Sequence, residues 1–189
     1  SPYHIPFVLV LMSFVTFVVV NGSVVVGDKE NHTAVLHCPQ VLYFFLFSAC
    51  VQGFSAARQA VMFVSWITSS KTNFAKACTV GSVFGVIVYY FTYAHPFLLA
   101  DNRHYTFYLW KLLFRRHAGI KYVLVPVYVC AGFITKKNLE MTHSLLRLFV
   151  YSFFLGAMLV PSPLVEFRYF ILPTIYVLLH SGNDDNNSE

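Results

Sequence analysis

The stretch ACTVGSVFGVIVYYFTYA, residues 77–94, contains no charged residue. About 20 apolar residues, with a range of roughly 17–25, cross the hydrocarbon core of a bilayer as an α-helix. Lipid leaves backbone polar groups without solvent partners, so a spanning segment is a helix or part of a closed barrel. Runs such as Val18-Val19-Val20 lack the alternation that barrel strands require. The stretch therefore predicts a membrane-spanning helix.

Further apolar runs lie on both sides of this stretch and extend the same interpretation over most of the chain. They are Ile5–Val20, Val41–Ile67, Ala118–Ile134, Ser144–Val160 and Tyr169–His180. We expect an all-α, polytopic membrane helical bundle of about six spans at residues 1–182, and a disordered polar tail at residues 183–189. Pro126 and Pro173 lie within apolar runs and are expected to kink their helices.

The composition supports a membrane protein. Of the 189 residues, 57% are hydrophobic and 11% are charged, whereas soluble domains have about 45–50% and about 25%. This excludes a disordered chain, a solenoid of charged repeats and an ordinary cytosolic enzyme. The net charge of +5 comes without a nucleic-acid-binding motif, so nucleic acid is not an expected partner. The chain begins at Ser1 inside an apolar region, and we expect a fragment or a processed product.

Charge in the loops predicts the topology. Lys71 with Lys76, and Lys136 with Lys137, indicate two cytoplasmic loops by the positive-inside rule. The region between residues 95 and 121 then faces the lumen, although it carries five basic residues and one acidic residue. A basic loop on the lumenal side indicates an anionic ligand.

The densest polar segment in that loop contains the main candidate site. Its members are Asp101, Asn102, Arg103, His104 and Tyr105. An Arg guanidinium binds phosphate through paired hydrogen bonds, and the neighbouring side chains can orient it or donate further bonds. The alternative is an interfacial belt in which aromatic and basic residues lie at headgroup depth.

A second candidate is the pair Glu166 and Arg168 beside the last apolar run. The two residues can form a simple ion pair that closes a turn, or a second phosphate grip. His32 and His37 are five residues apart and do not share a helix face, and the chain has no CxxC motif, so no metal site is expected. Nucleotide-binding and hydrolase motifs are also missing from the sequence, which favours an enzyme with a lipid-carried donor.

Three segments together carry a family resemblance: Gly27–Gln40, His95–Lys111 with ADNRHYTFY at its centre, and Leu164–Pro173. Their order and spacing resemble the C-terminal part of the dolichyl-phosphate-glucose-dependent α-1,2-glucosyltransferases. The resemblance implies a multi-pass enzyme of the GT-C fold in the endoplasmic reticulum membrane. It implies transfer of glucose from dolichyl-phosphate glucose to the diglucosylated oligosaccharide on dolichyl pyrophosphate, with inversion at the transferred carbon.

The resemblance also implies roles for the candidate residues. Arg103 and His104 would bind the donor phosphate, with Asp101, Asn102 and Tyr105 beside them. Arg168, oriented by Glu166, would be a second binding group. The family's catalytic base is expected in an Asp-Glu motif of the first lumenal loop. This chain lacks that motif, so we expect no catalytic residue here, a requirement for the N-terminal half, and no cofactor besides the donor substrate.

Other classes of function stay open at this point. A non-catalytic membrane protein that modulates a channel or acts as a scaffold would not need the Asp101–Tyr105 segment. Half of a transporter or flippase would show inverted repeats, and the sequence has no internal repeat. A related enzyme with a mannose donor is separated from the glucose enzymes only by the resemblance.

Overall fold

A computed structural model describes residues 2–24, 26, 35–92, 119–140, 145–162 and 164–181. Within these residues the ordered elements are helices, and there is no strand. The fold class predicted from the apolar runs is therefore confirmed as all-helical. The chain divides into two compact units, residues 1–34 and residues 35–189.

The first unit consists of a 3₁₀ turn, Pro2–His4, and helix α1, Ile5–Asn21. A proline in the first turn of α1 fits there because no helical hydrogen bond is needed from that position. Gly22, with φ of 68°, ends the helix in the left-handed conformation that glycine adopts most readily. None of the side chains of α1 is buried.

The second unit contains the remaining helices of the described residues. They are α2 Pro39–Gln52, α3 Phe54–Ser69, α4 Lys71–Phe91, α5 Ile120–Val123, α6 Val125–Glu140, α7 Leu145–Leu159 and α8 Arg168–Ser181. Ser70 caps α4, where its hydroxyl accepts a hydrogen bond of 3.2 Å from the Thr72 N–H.

The apolar run Val41–Ile67 is not one continuous helix. Gly53, with φ of 55°, separates α2 from α3, and the two helix axes differ in direction by 116°. A residue with a side chain rarely adopts this φ, so glycine decides where the run breaks. The apolar run around Pro126 is interrupted at Leu124, which separates α5 from α6, and Pro126 lies in the first turn of α6. The kink expected there stays a prediction. Pro173 does lie inside α8.

Helices α2 and α6 form the centre of the second unit, and every other long helix of this unit packs against at least one of them. One buried cluster joins α2, α6, α7 and α8 through Phe44, Leu139, Leu155, Leu159, Phe170 and Val177. The cluster is stabilised by the close packing of large apolar side chains. Each of them contributes about 1.5–3 kcal/mol when it is transferred from water to the packed interior.

A second buried cluster, formed by Leu42, Val88 and Tyr128, orients the helices. Leu42 lies near the start of α2, Val88 near the end of α4, and Tyr128 near the start of α6. Helix α4 therefore ends, and α6 begins, at the end of the unit where α2 begins. We call this the Gln40 end, after the buried residue in the first turn of α2.

The opposite end of α2 is marked by a hydrogen bond of 2.6 Å from the Asn138 amide to the Gln52 side-chain carbonyl. Asn138 lies near the end of α6. We call this the Gln52 end.

By length and composition, one described helix, α4, is sufficient to cross a bilayer, and α2 with α3 is a second candidate if the bent pair counts as one span. Helices α1 and α7 are apolar but shorter. The number of about six spans and the GT-C fold stay predictions.

Candidate functional site

The main sequence-predicted residues, Asp101, Asn102, Arg103, His104 and Tyr105, lie outside the described residues. The helices that flank them in the chain are described. Helix α4 ends at Phe91 and α5 begins at Ile120, both at the Gln40 end through the packing of Val88 and the residues around Leu124. The described residues that flank residues 93–118 therefore lie at the Gln40 end.

The second candidate pair follows a turn that is held against the segment preceding α2. The Val35 N–H donates a hydrogen bond of 3.2 Å to the Pro161 carbonyl, and the His37 N–H donates one of 2.9 Å to the Val160 carbonyl. These bonds join parts of the chain that are far apart in sequence. They place the start of α2 beside the connection from α7 to α8.

Gln40 extends this attachment with its side chain. Its amide nitrogen donates hydrogen bonds of 3.0 Å to the Ser162 carbonyl and 2.7 Å to the Leu164 carbonyl. The Ser162 hydroxyl also donates to the Leu164 carbonyl at 3.1 Å. Gln40 is fully buried, where hydrogen bonds to polar backbone atoms are costly to lose. We call this set of contacts the Gln40 clamp.

His37 lies beside the Gln40 clamp and is also buried, with 1% of its surface exposed. Its ring meets the Tyr43 ring edge-on at a centroid distance of 6.0 Å. Burial disfavours the charged imidazolium and lowers the pKa of His37 to about 4, although a hydrogen bond with the Ser162 backbone acts in the opposite direction. His37 is therefore neutral near pH 7.

Glu166 and Arg168 form the ion pair that the sequence suggests, through the Arg168 Nε and a Glu166 carboxylate oxygen. The Arg168 side chain is 69% exposed and the Glu166 side chain 31% exposed. The nearby carboxylate raises the pKa of the Arg168 guanidinium. The guanidinium also lies 5.4 Å from the centroid of the Tyr169 ring.

Aromatic packing fixes the backbone on both sides of Arg168. The Phe167 ring packs on Phe47 of α2 at a centroid distance of 5.2 Å. The Phe170 ring is fully buried and packs on Phe47 at 5.6 Å and on Phe44 at 6.3 Å. Arg168 is thus an exposed cation between two anchored aromatic residues, at the first position of α8.

This arrangement is suited to binding an anion. The guanidinium has five N–H donors. Glu166 engages it through Nε and the Tyr169 side chain takes a further hydrogen bond, so by count some donors remain for a phosphate. The first turn of α8 adds the positive end of the helix dipole. The Tyr169 and Phe170 N–H groups of this turn already donate to the Glu166 and Phe167 carbonyls. In the described part of the chain, no group of three or more His, Cys, Asp or Glu side chains is arranged to hold a metal ion.

No sequence pattern assigns a role to His37 or Gln40. The only signal for them was their presence in one of the three segments that carry the family resemblance. The structure brings the described part of that segment, residues 35–40, beside the start of the Leu164–Pro173 segment at the Gln40 end. The third segment, His95–Lys111, lies outside the described residues.

Comparison with known proteins decides the family. The model of the DIE2/ALG10 family matches residues 2–179. The chain belongs to the DIE2/ALG10 family. No solved structure matches it.

Curated relatives agree with this family assignment. A rat protein named Dol-P-Glc:Glc(2)Man(9)GlcNAc(2)-PP-Dol alpha-1,2-glucosyltransferase is 44% identical over 93% of this chain, and the match covers 36% of the relative. Human and Arabidopsis thaliana proteins of the same name are 41% and 38% identical over 93% of the chain, covering 37% and 35% of their own lengths. The chain thus spans about a third of the length of these relatives.

Proposed function

We propose that this chain is the C-terminal part of a dolichyl-phosphate-glucose-dependent α-1,2-glucosyltransferase of the endoplasmic reticulum membrane. The whole enzyme would transfer glucose from dolichyl-phosphate glucose to the diglucosylated oligosaccharide on dolichyl pyrophosphate. This part would contribute binding groups for lipid phosphate, and the N-terminal part would contribute the catalytic base. No cofactor is needed, because the donor lipid carries the activated glucose.

The observation that carries the proposal is the match to the glucosyltransferases named above over 93% of the chain. The geometry of the Gln40 end supports the part assigned to phosphate binding. Arg168 is exposed, paired with Glu166 through one nitrogen, and set at a rigid helix start. The ends of α4 and α5 that flank Arg103 and His104 lie at the same end of the helical unit.

The chemistry gives these cations a defined task. A hydroxyl oxygen of the acceptor attacks the anomeric carbon of the donor glucose, the carbon–oxygen bond to phosphate breaks, and the base in the N-terminal part takes the hydroxyl proton. Dolichyl phosphate departs with an additional negative charge. A guanidinium placed at the departing phosphate stabilises that charge, which is usually among the largest contributions to catalysis.

The test is complementation of cells that lack the terminal glucosyltransferase. The chain would be expressed alone and joined to the N-terminal part of a family member, and the lipid-linked oligosaccharides would be profiled. We expect the triglucosylated species only with the joined protein. If the chain alone restores this species, the catalytic base lies within this chain, and Asp101 is the first residue to examine.

If neither version restores the triglucosylated species although both reach the membrane, the glucosyltransferase assignment is wrong. A non-catalytic membrane role, as a scaffold or a channel-modulating subunit, would then gain support. The joined protein with Arg168→Ala is the control that tests the phosphate-binding role assigned to this chain.

A further inference from the structure

We infer that Gln40 is a positioning residue for the donor phosphate, because its clamp fixes the turn that presents Arg168. The inference rests on the proposed function and assigns a role to a residue that does not itself touch the substrate. It has three steps: the clamp, the anchored backbone after it, and the exposed side chain that depends on both.

The first step is the position of the clamp. Gln40 donates to the carbonyls of Ser162 and Leu164, and Leu164 is two residues before Glu166. Both N–H bonds of the Gln40 amide are therefore used on the backbone that leads into the ion pair. A single side chain from α2 thus restricts the backbone at Ser162 and at Leu164, both of which precede the ion pair.

The second step is the anchor that follows. The Tyr169 N–H donates to the Glu166 carbonyl at 3.1 Å, and the Phe170 N–H donates to the Phe167 carbonyl at 2.9 Å. Phe167 and Phe170 both pack on Phe47. The backbone that carries Glu166 and Arg168 is therefore held on one side by the Gln40 clamp and on the other by aromatic packing on the same helix.

The third step concerns the freedom of Arg168 itself. Its side chain is 69% exposed, and an exposed arginine loses rotamer entropy when a ligand fixes it. A fixed backbone and a carboxylate partner remove part of this cost before the donor arrives. Loss of the clamp would let the ion pair move with the turn, and the donor would bind more weakly.

The test measures steady-state kinetics of the full-length enzyme containing this chain, with dolichyl-phosphate glucose as the varied substrate. We expect Gln40→Ala to lower kcat/KM for the donor about tenfold, the equivalent of about 1.4 kcal/mol, chiefly by raising the donor KM. The acceptor KM should stay unchanged. A purely structural role would reduce the amount of active enzyme, which lowers apparent kcat and leaves both KM values in place.

A double-mutant cycle decides whether Gln40 acts through Arg168. When Arg168 is already alanine, the further change Gln40→Ala should lower kcat/KM by less than about twofold, because the residue being positioned is missing. A full tenfold loss in the Arg168→Ala background would overturn the inference. If Arg168→Ala alone leaves donor kinetics unchanged, the failure lies in the role proposed for Arg168 in phosphate binding.

Gln52 supplies the matched control. It is a second glutamine on α2, and its amide donates to Ser48 and accepts from Asn138 within the helical unit. Gln52→Ala should leave the donor KM within about twofold of the wild-type value, whatever its effect on stability. An equal rise in donor KM for Gln52→Ala would show a general effect of loosening α2 and would overturn the inference.

Two further variants keep the test decisive. Gln40→Glu retains the shape of the side chain but removes its N–H donors, so it should fail to rescue the donor KM. Ser162→Ala removes only the hydroxyl bond to the Leu164 carbonyl, and we expect it to raise the donor KM about two- to threefold. If Gln40→Ala yields no folded protein, an unchanged donor KM in Ser162→Ala overturns the inference and the expected rise supports it.

Discussion

Helix α2 has a glutamine at each end, and the two glutamines make different contacts. At one end, Gln40 bonds to backbone carbonyls of the turn between α7 and α8. At the other end, the Gln52 side chain bonds to Ser48 of its own helix and to Asn138 of α6. The first arrangement shapes a loop at the surface of the unit, whereas the second joins two helices inside it.

The charged residues at the two ends of α2 also have different partners. Arg168 at the Gln40 end is exposed and paired with a carboxylate. At the Gln52 end, Lys137 donates to the Met62 sulfur at 3.0 Å, and the Arg58 guanidinium lies 5.9 Å from the centroid of the Phe54 ring. Arg58 is exposed, as Arg168 is, so the two ends differ in the partners of their cations. The proposed function assigns anion binding to the Gln40 end, where the cation is held beside a carboxylate.

The largest effect is expected at Arg103, which the family resemblance assigns to the donor phosphate. In the full-length enzyme, Arg103→Ala should abolish transfer of the third glucose, because a cation at the departing phosphate would be lost. Profiling of lipid-linked oligosaccharides would show accumulation of the diglucosylated species. Normal elongation in this variant would contradict the assignment of Arg103.

A comparison of two arginines tests the contrast between the ends directly. Arg168→Ala should lower kcat/KM for the donor roughly 100-fold, because the phosphate would lose a charged hydrogen-bond partner. Arg58→Ala, at the Gln52 end, should change it less than about twofold. Equal losses in the two variants, measured with purified enzyme, would remove the functional distinction between the ends.

The buried imidazole at the Gln40 end predicts an acid-sensitive stability. The pKa of His37 is lowered to about 4 from 6.5, so below pH 6.5 the unfolded chain binds a proton that the folded chain does not. Stability contributed by the neutral ring is therefore complete above pH 6.5 and declines as the pH falls toward 4, by about 3 kcal/mol.

Chemical unfolding of the detergent-solubilised enzyme at pH 7 and pH 4.5 would measure this difference. His37→Gln should make the free energy of unfolding less sensitive to acid than in the wild type. His180→Gln, at the partly exposed end of α8, serves as the control and should retain the wild-type sensitivity. An unchanged acid sensitivity in His37→Gln would refute the prediction.

A smaller effect, on stability alone, is expected at the Gln52 end. Asn138 is buried and donates to Gln52, so Asn138→Ala leaves the partly buried Gln52 carbonyl without this donor. The cost should be about 1–3 kcal/mol of unfolding free energy. Donor kcat/KM per folded molecule should stay within about twofold, and a larger kinetic loss would mean that the Gln52 end also takes part in function.

The sequence predicted the helical class and the positions of most helices, because uninterrupted apolar runs leave few alternatives for the backbone. It did not predict the break at Gly53, where a single positive φ divides an apolar run whose composition continues on both sides. Apolar content reports burial or lipid contact, and it contains little information on where a helix turns.

Only the part of the candidate site that is formed by residues close in sequence could be predicted. Glu166 and Arg168 are close in sequence, so their pairing could be expected from spacing. The contacts of Gln40 join residues more than 120 positions apart, and no local pattern encodes such a pairing. Only the family resemblance, which included both segments, pointed to them.

The central claim is that the segment before α2 and the turn after α7 meet at one end of the helical unit, where Arg168 is presented. Cysteine cross-linking in membranes tests this most directly. Val35 and Pro161 are joined by a backbone hydrogen bond of 3.2 Å, which brings their Cα atoms close to the 4.4–6.8 Å range typical of disulfides. The full-length enzyme would carry Val35→Cys and Pro161→Cys, with Cys38, Cys50, Cys78 and Cys130 replaced by serine.

The control pair is Val35→Cys with Lys137→Cys, which places the second cysteine at the Gln52 end. We predict rapid disulfide formation for the first pair under mild oxidation and none for the control. Equal cross-linking of the two pairs, or no cross-link between positions 35 and 161, would contradict the account.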